Sequence, residues 1–188
     1  MAEQDGAKQT RAFGRLSPLG LGLTAAILTF LLDQITKVAF LLRVGRDIFT
    51  PPPGFGAGPS IEVAPFFSLT LVWNQGMSYG LLQAESALGR AIYVGFTLVI
   101  VPVLAWWLFR ARSLFLALAL GLVIGGAIGN NLVDRIFYHA VVDFLHFHVG
   151  EFSWYVFNIA DTAIVFGVLL LIYDAFWGTE QQANGRAN

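Results

Sequence analysis

Four stretches of the chain are apolar over close to the length of about 20 residues that a helix needs to cross a hydrocarbon core. They run from about Leu19 to Leu42, Leu88 to Phe109, Ser113 to Arg135 and Val156 to Trp177. The pattern predicts four transmembrane helices. Pro102 lies inside the second, where a membrane helix can absorb it as a kink. Lys8, Arg11 and Arg15 precede the first stretch, as in a signal peptide, but the apolar run is too long for one and lacks a clear cleavage site. It is read as a retained span.

Two longer connections separate the spans. The first, about Arg43 to Ala87, holds TPPPGFGAGPS, a Pro/Gly-rich turn region, and then SLTLVW, which is strand-like. The second, about Ile136 to Tyr155, holds VVDFLHFHV, again strand-like. Backbone of this kind needs water or partner strands, so a small sheet at the membrane surface is expected. The organisation predicted is a polar segment over residues 1–18, a transmembrane domain over 19–177 and a disordered polar tail over 178–188.

Composition strengthens the membrane reading. Of 188 residues, 56% are hydrophobic and 12% charged, about half the charged share of a soluble domain. A net charge of −1 and the lack of a basic stripe argue against nucleic-acid binding. Cysteine is absent, which excludes disulfides, thiol nucleophiles and thiolate metal sites. Basic residues before span one, with Arg110 and Arg112 between spans two and three, favour cytoplasmic termini. Arg43, Arg46, Arg90 and Arg135 fall on the other side, so the bias is modest.

Against this apolar background the carboxylates stand out, because an acid in hydrocarbon is costly unless paired or used. Asp33 and Lys37 are spaced i, i+4 in LLDQITK: either a self-neutralising pair that snorkels to the surface or part of a site. Asn131, Asp134 and Arg135 close span three; Arg135 could clamp a carboxylate, or the group could merely tie down a helix end. In FNIAD, Asn158 and Asp161 have the spacing of a helix cap with its reciprocal acid, and a helix dipole that holds Asp161 ionised also suits a general base. Asp143 has no structural excuse of that kind. A second carboxylate nearby could share its proton, the split that two-aspartate hydrolysis requires. His139, His146 and His148 admit a metal site less readily than solvated or interfacial histidines, there being no HExxH. Nor does any GxSxG element or Ser/Lys pair suggest serine catalysis. Glycines 121, 125, 126 and 129 look like a helix-packing surface.

Taken in order, LLDQITK, WNQGMSYG, GGAIGNNLVDR, VVDF and FNIADTA resemble the motifs of the bacterial lipoprotein signal peptidases, the signal peptidase II family. The resemblance spans about residues 19 to 177. It implies an all-α membrane protein with four transmembrane helices and a small extracytoplasmic β-cradle. It also implies an intramembrane aspartyl endopeptidase that removes signal peptides from diacylglyceryl-modified prolipoproteins, cutting before the lipidated cysteine. Asp143 and Asp161 would be the catalytic pair, with Asn158 and Ala160 shaping the site. Asp33 and Lys37 match the family's first-helix motif, Asn74 and Gly76 its cradle motif, and Asn131, Asp134 and Arg135 its third-helix motif. The family usually has a glycine where Asn130 stands, so its asparagine is either Asn131 or, with one residue inserted, Asn130. Met77 stands where a small residue is common. By the same resemblance no cofactor or metal is expected, the partners are prolipoprotein and membrane lipids, and globomycin-type cyclic peptides should inhibit. The enzyme would lie in the bacterial inner membrane with its site near the outer face. A proton-coupled carrier or a non-catalytic assembly factor is the alternative from the residues alone.

Overall fold

The computed structural model describes residues 17–48, 56–76 and 87–178. The polar ends expected at 1–18 and 178–188 lie almost wholly outside them, as does Met77. Helix α1 (Pro18–Arg43) starts where Ser17 accepts the Gly20 N–H at 3.0 Å, with Pro18 at a position that needs no donor. Its buried residues, Gly22, Ala25, Thr29, Asp33, Lys37 and Phe40, recur every three or four positions. That stripe faces the other helices, while Ile27, Leu31 and Ile35 are exposed. Helix α2 (Ala87–Arg110) runs through Pro102 without a break in its assignment. Helix α3 (Leu114–Ala127) is capped by Ser113. It continues as a π-helical segment, Ile128–Asp134, and one turn of α4 (Arg135–Phe137). Helix α5 (Ile159–Tyr173) completes the four spans and ends in a second π segment, Asp174–Gly178.

Helix α3 is the centre of the bundle: α1 and α5 pack on it closely and α2 more lightly. Glycines make this approach possible. A Cβ on Gly121 would collide with the Gly22 carbonyl, one on Gly125 with the Ala26 carbonyl, and one on Gly126 would lie 2.7 Å from the Ala160 carbonyl. The small-residue surface read from the sequence is thus the contact between α3 and both neighbours. The outward faces of α2 and α5 expose Phe96, Val99, Phe109, Phe166 and Leu169, side chains suited to lipid rather than water.

The sheet has four antiparallel strands in chain order: β1 (Gly56–Ala64), β2 (Phe67–Asn74), β3 (Val141–Val149) and β4 (Phe152–Ser153). β3 coincides with VVDFLHFHV. The Pro/Gly-rich segment is not all turn, because its second half is edge strand β1. Pro59 is tolerated there, at an edge and beside a register shift between Ala57 and Ser60. One face of the sheet presents Leu71, Trp73, Val142 and Phe144 to Phe40, Leu41 and Tyr138, sealing it onto the end of α1. Phe40 stacks on Phe144 with ring centroids 5.2 Å apart. This seal sets the height of β3 over the helices, and β3 carries Asp143.

Candidate active site

The polar residues of α1 do not snorkel. Asp33 and Lys37 are 0% and 1% exposed and form a 2.7 Å ion pair, and Lys37 Nζ lies 2.8 Å from Asp134 Oδ2, itself on a fully buried residue. A third acceptor, Asn130 Oδ1, stands 2.6 Å from the same ammonium. Lys37 therefore uses all three of its donors inside the protein. Each carboxylate in turn holds another element. Asp134 Oδ2 accepts the Val142 N–H at 3.1 Å, one residue before Asp143. Asp33 Oδ1 accepts the Ala160 N–H at 3.0 Å, one residue before Asp161. Gln34 bridges the two acids, donating at 3.0 Å to Asp33 and 3.1 Å to Asp134.

Gly129 allows this closeness, since a Cβ there would lie 2.7 Å from Asp33 Oδ2. The π-helical segment turns the two asparagines of GNN to different surroundings. Asn130 points inward, donating at 2.7 Å to Asp161 Oδ1 and accepting from Lys37. Asn131 is partly exposed and, among the described residues, only accepts from Arg135 Nε at 3.4 Å. A π turn accommodates one extra residue in a helix, which is what Asn130, one residue further from Asp134 than the NxxDR spacing, would require.

Asn158 is both cap and bridge. Its side chain accepts the Asp161 N–H at 2.8 Å while its own N–H donates to Asp161 Oδ2 at 3.2 Å, a complete capping box. The fourth helix thus begins at Ile159, three residues after the expected start, because Phe157 pairs with Leu145 of the sheet. The Asn158 amide also donates to Asp143 Oδ1 at 2.7 Å. One asparagine therefore touches both aspartates of the predicted pair. The other Asp143 oxygen accepts from Asn74 Nδ2 at 2.9 Å. Asn74 is oriented by accepting the Gly76 N–H at 2.9 Å, and Gly76 has φ +130°, a conformation that a side chain would strain.

Asp143 is 1% exposed. Burial, and then the nearby Asp161 charge, push its carboxyl up to about 7, against the weaker opposing pull of its Asn74 and Asn158 bonds. It lines a groove of about 980 Å³ together with Thr70, Asn74, Tyr93, Arg135 and Trp154. Asp161 is half-buried and is not part of that lining; it reaches Asp143 through Asn158. Among the described residues Arg135 does not form the carboxylate clamp that its position suggested. Its Nη1 donates to the Gln75 carbonyl at 3.2 Å and its guanidinium sits 4.2 Å from the Tyr93 ring centre. Of the histidines, His146 has both ring nitrogens on hydroxyls, Thr70 at 3.3 Å and Ser153 at 2.7 Å, and His148 bonds Ser68 at 2.8 Å. His139 adopts φ +63° at the turn into β3. Among the described residues no cluster of ligand-type side chains has metal-binding geometry.

Sequence reasoning missed two members of this site and left a third, Asn130, open against Asn131. Gln34 lies beside a residue that it chose, and Tyr93 comes from a helix whose apolar pattern hid it. The GNN irregularity was the one available signal for Asn130.

A model of the family described as Signal peptidase (SPase) II matches residues 25–177. A lipoprotein signal peptidase of Beijerinckia indica is 49% identical over 165 residues, 88% of this chain and 93% of the relative. One from Methylobacterium sp. (strain 4-46) is 45% identical over 162 residues, 86% and 92% of the two chains. A solved bacterial membrane enzyme structure superposes with TM-score 0.68 at 27% identity, covering 86% of this chain and 91% of the other. A second does so with TM-score 0.67, also at 27% identity, over 84% and 94%.

Two outcomes follow from the packing of the site. Lys37→Met leaves two buried carboxylates without a cation and should lower unfolding free energy by about 3–5 kcal/mol. Adding Asp33→Asn and Asp134→Asn should recover most of that loss, as read by thermal unfolding in detergent; no recovery would mean that charge pairing is not what holds the site. Asn130→Ala should destabilise by about 1–3 kcal/mol, and Asn131→Ala by no more than about 0.5 kcal/mol. The reverse order would place the wrong asparagine inside.

Proposed function

The chain belongs to the signal peptidase II family, and from that membership and the site geometry we propose that it is an intramembrane aspartyl endopeptidase. Its substrates are diacylglyceryl-modified prolipoproteins, cut just before the lipidated cysteine. The observation that carries this reading is the Asn158 side chain bonded both to Asp143 Oδ1, at 2.7 Å, and to the Asp161 N–H, at 2.8 Å. Two carboxylates from distant parts of the chain are thereby brought to one place, with one of them on the wall of an open groove.

The pair shares one proton at rest. Asp143 holds it, as its burial beside a second acid favours, and Asp161 carries the charge at the α5 N-terminus. Asp161 takes a proton from a water as the water oxygen attacks the scissile carbonyl carbon, and Asp143 gives its proton to the carbonyl oxygen. The resulting gem-diol collapses when Asp161 protonates the departing amine nitrogen and Asp143 recovers its proton. No covalent intermediate forms, and this chemistry calls for neither metal nor cofactor. Asn158 and Asn74 keep the Asp143 carboxyl oriented through both steps.

The substrate's acyl chains stay in the bilayer, so the acids must wait at the membrane surface. We place the termini in the cytoplasm and the groove at the outer face of the inner membrane, with the sheet as a cradle over the substrate. A cyclic peptide of the globomycin type would inhibit by filling the groove. The residues that this mechanism uses, Asn74, Asp143, Asn158 and Asp161, all lie within residues 19–177.

With a diacylglyceryl precursor peptide in detergent, Asp143→Asn and Asp161→Asn should each lower kcat by at least about 10³-fold, with parent activity unaffected by chelator. Retained cleavage in either variant removes that residue from the pair. The rate should also fall by about tenfold per pH unit above about 7, because Asp143, raised by burial, loses its proton there. A rate that is flat or rising between neutral and alkaline pH would contradict the proton assignment.

A further inference from the structure

Gln75 stands between two residues already placed in the site, Asn74 on Asp143 and Gly76 on Asn74. Its main chain is pinned. The Gln75 carbonyl accepts from Arg135 Nη1 at 3.2 Å, and Arg135 is held in turn over the Tyr93 ring. The side chain is treated very differently. Its Nε2 is the one buried side-chain polar atom, among the described residues, without a hydrogen-bond partner. The buried side chains of Asp33, Lys37, Asp134, Asp143 and Asn158 all have partners. A buried amide donor with no acceptor is costly, and a leucine of similar size would avoid the loss. Yet Gln75 is on the wall of the groove that Asp143 also lines.

We infer that Gln75 is a substrate-positioning residue whose side-chain amide donates to a carbonyl oxygen of the substrate lying in the groove beside Asp143. The terminal torsion of a glutamine is broad, so a swing of the amide turns its NH₂ from the wall into the groove without moving the pinned backbone. Binding then relieves the resting enzyme of an unsatisfied donor, which adds to affinity. Two substrate carbonyls have this chemistry: that of the peptide backbone near the scissile bond and that of the ester joining an acyl chain to the glyceryl group. Neither Asn74 nor Arg135 has a free role here, since Asn74 is spent on Asp143 and Arg135 on the turn.

The inference rests on the peptidase reading, and its test separates the two. Parent, Gln75→Leu and Gln75→Glu enzymes are compared on a diacylglyceryl precursor and on its dialkyl ether analogue, which lacks the ester carbonyls. Gln75→Leu, having lost the donor, should raise KM about tenfold with kcat little changed, since the contact is made to bound substrate and transition state alike. Its melting temperature without substrate should equal or exceed the parent's, which a merely structural glutamine would not allow. Gln75→Glu keeps the shape and should show the same rise in KM. A KM ratio that persists with the ether substrate assigns the acceptor to the peptide, and one that collapses towards unity assigns it to the lipid ester. Unchanged KM on both substrates while the parent cleaves them, or a loss of activity that tracks a loss of stability, overturns the inference alone. A parent that cleaves neither precursor overturns the peptidase reading and the inference with it.

Discussion

A single buried ammonium organises this protein. Lys37 is closed off from water and held by Asp33 and Asp134 at 2.7 and 2.8 Å and by Asn130 at 2.6 Å. Such an arrangement contributes little to stability compared with an apolar replacement. What it supplies is position. Asp134 grips the backbone just before Asp143, Asp33 grips the backbone just before Asp161, and Asn130 bonds the Asp161 carboxylate itself. Strand β3 and helix α5 are therefore registered against one charge. The placement of each aspartate follows from that register.

Glycine makes such a centre possible at a helix interface. Gly121 and Gly125 let α3 lie on the backbone of α1, and Gly129 leaves room for the Asp33 carboxylate. Were these positions larger, α1 would stand off and Lys37 would lose its reach to Asp134 and Asn130. The aromatic seal of Phe40 on Phe144 fixes the other end of the same assembly. Packing and electrostatics thus constrain the same few residues from two directions.

Much of the fold could be read from hydrophobic pattern alone. The four spans depend on apolar length, and β3 on its run of branched and aromatic residues, so both are local signals. The motif order that resembles the family was likewise visible in sequence, and the family model matches residues 25–177. The site was readable as a set of residues but not as a network. Nothing local announces that Asp33, in the first helix, bonds Ala160 in the last. Asp33 and Lys37 also fit a surface pair equally well by spacing, and only tertiary packing buries them. The π-helical segment was hidden for a related reason, since GNNLVD has unremarkable helix propensity and its geometry is set by the groups that Asn130 must reach. The late start of the fourth helix, at Ile159, came from a contact with β3 that no local pattern encodes.

The central claim is that Asp143 and Asp161 behave as one proton-sharing unit. Carbon-13 NMR of aspartate-labelled enzyme in detergent, with Asp143 assigned by substitution, measures it directly. The Asp143 carboxyl should titrate near 7 in the parent and at distinctly lower pH in Asp161→Asn, because a neighbouring negative charge has gone. A titration midpoint that does not move on removing Asp161 would show two independent acids, and the mechanism built on their coupling would fall.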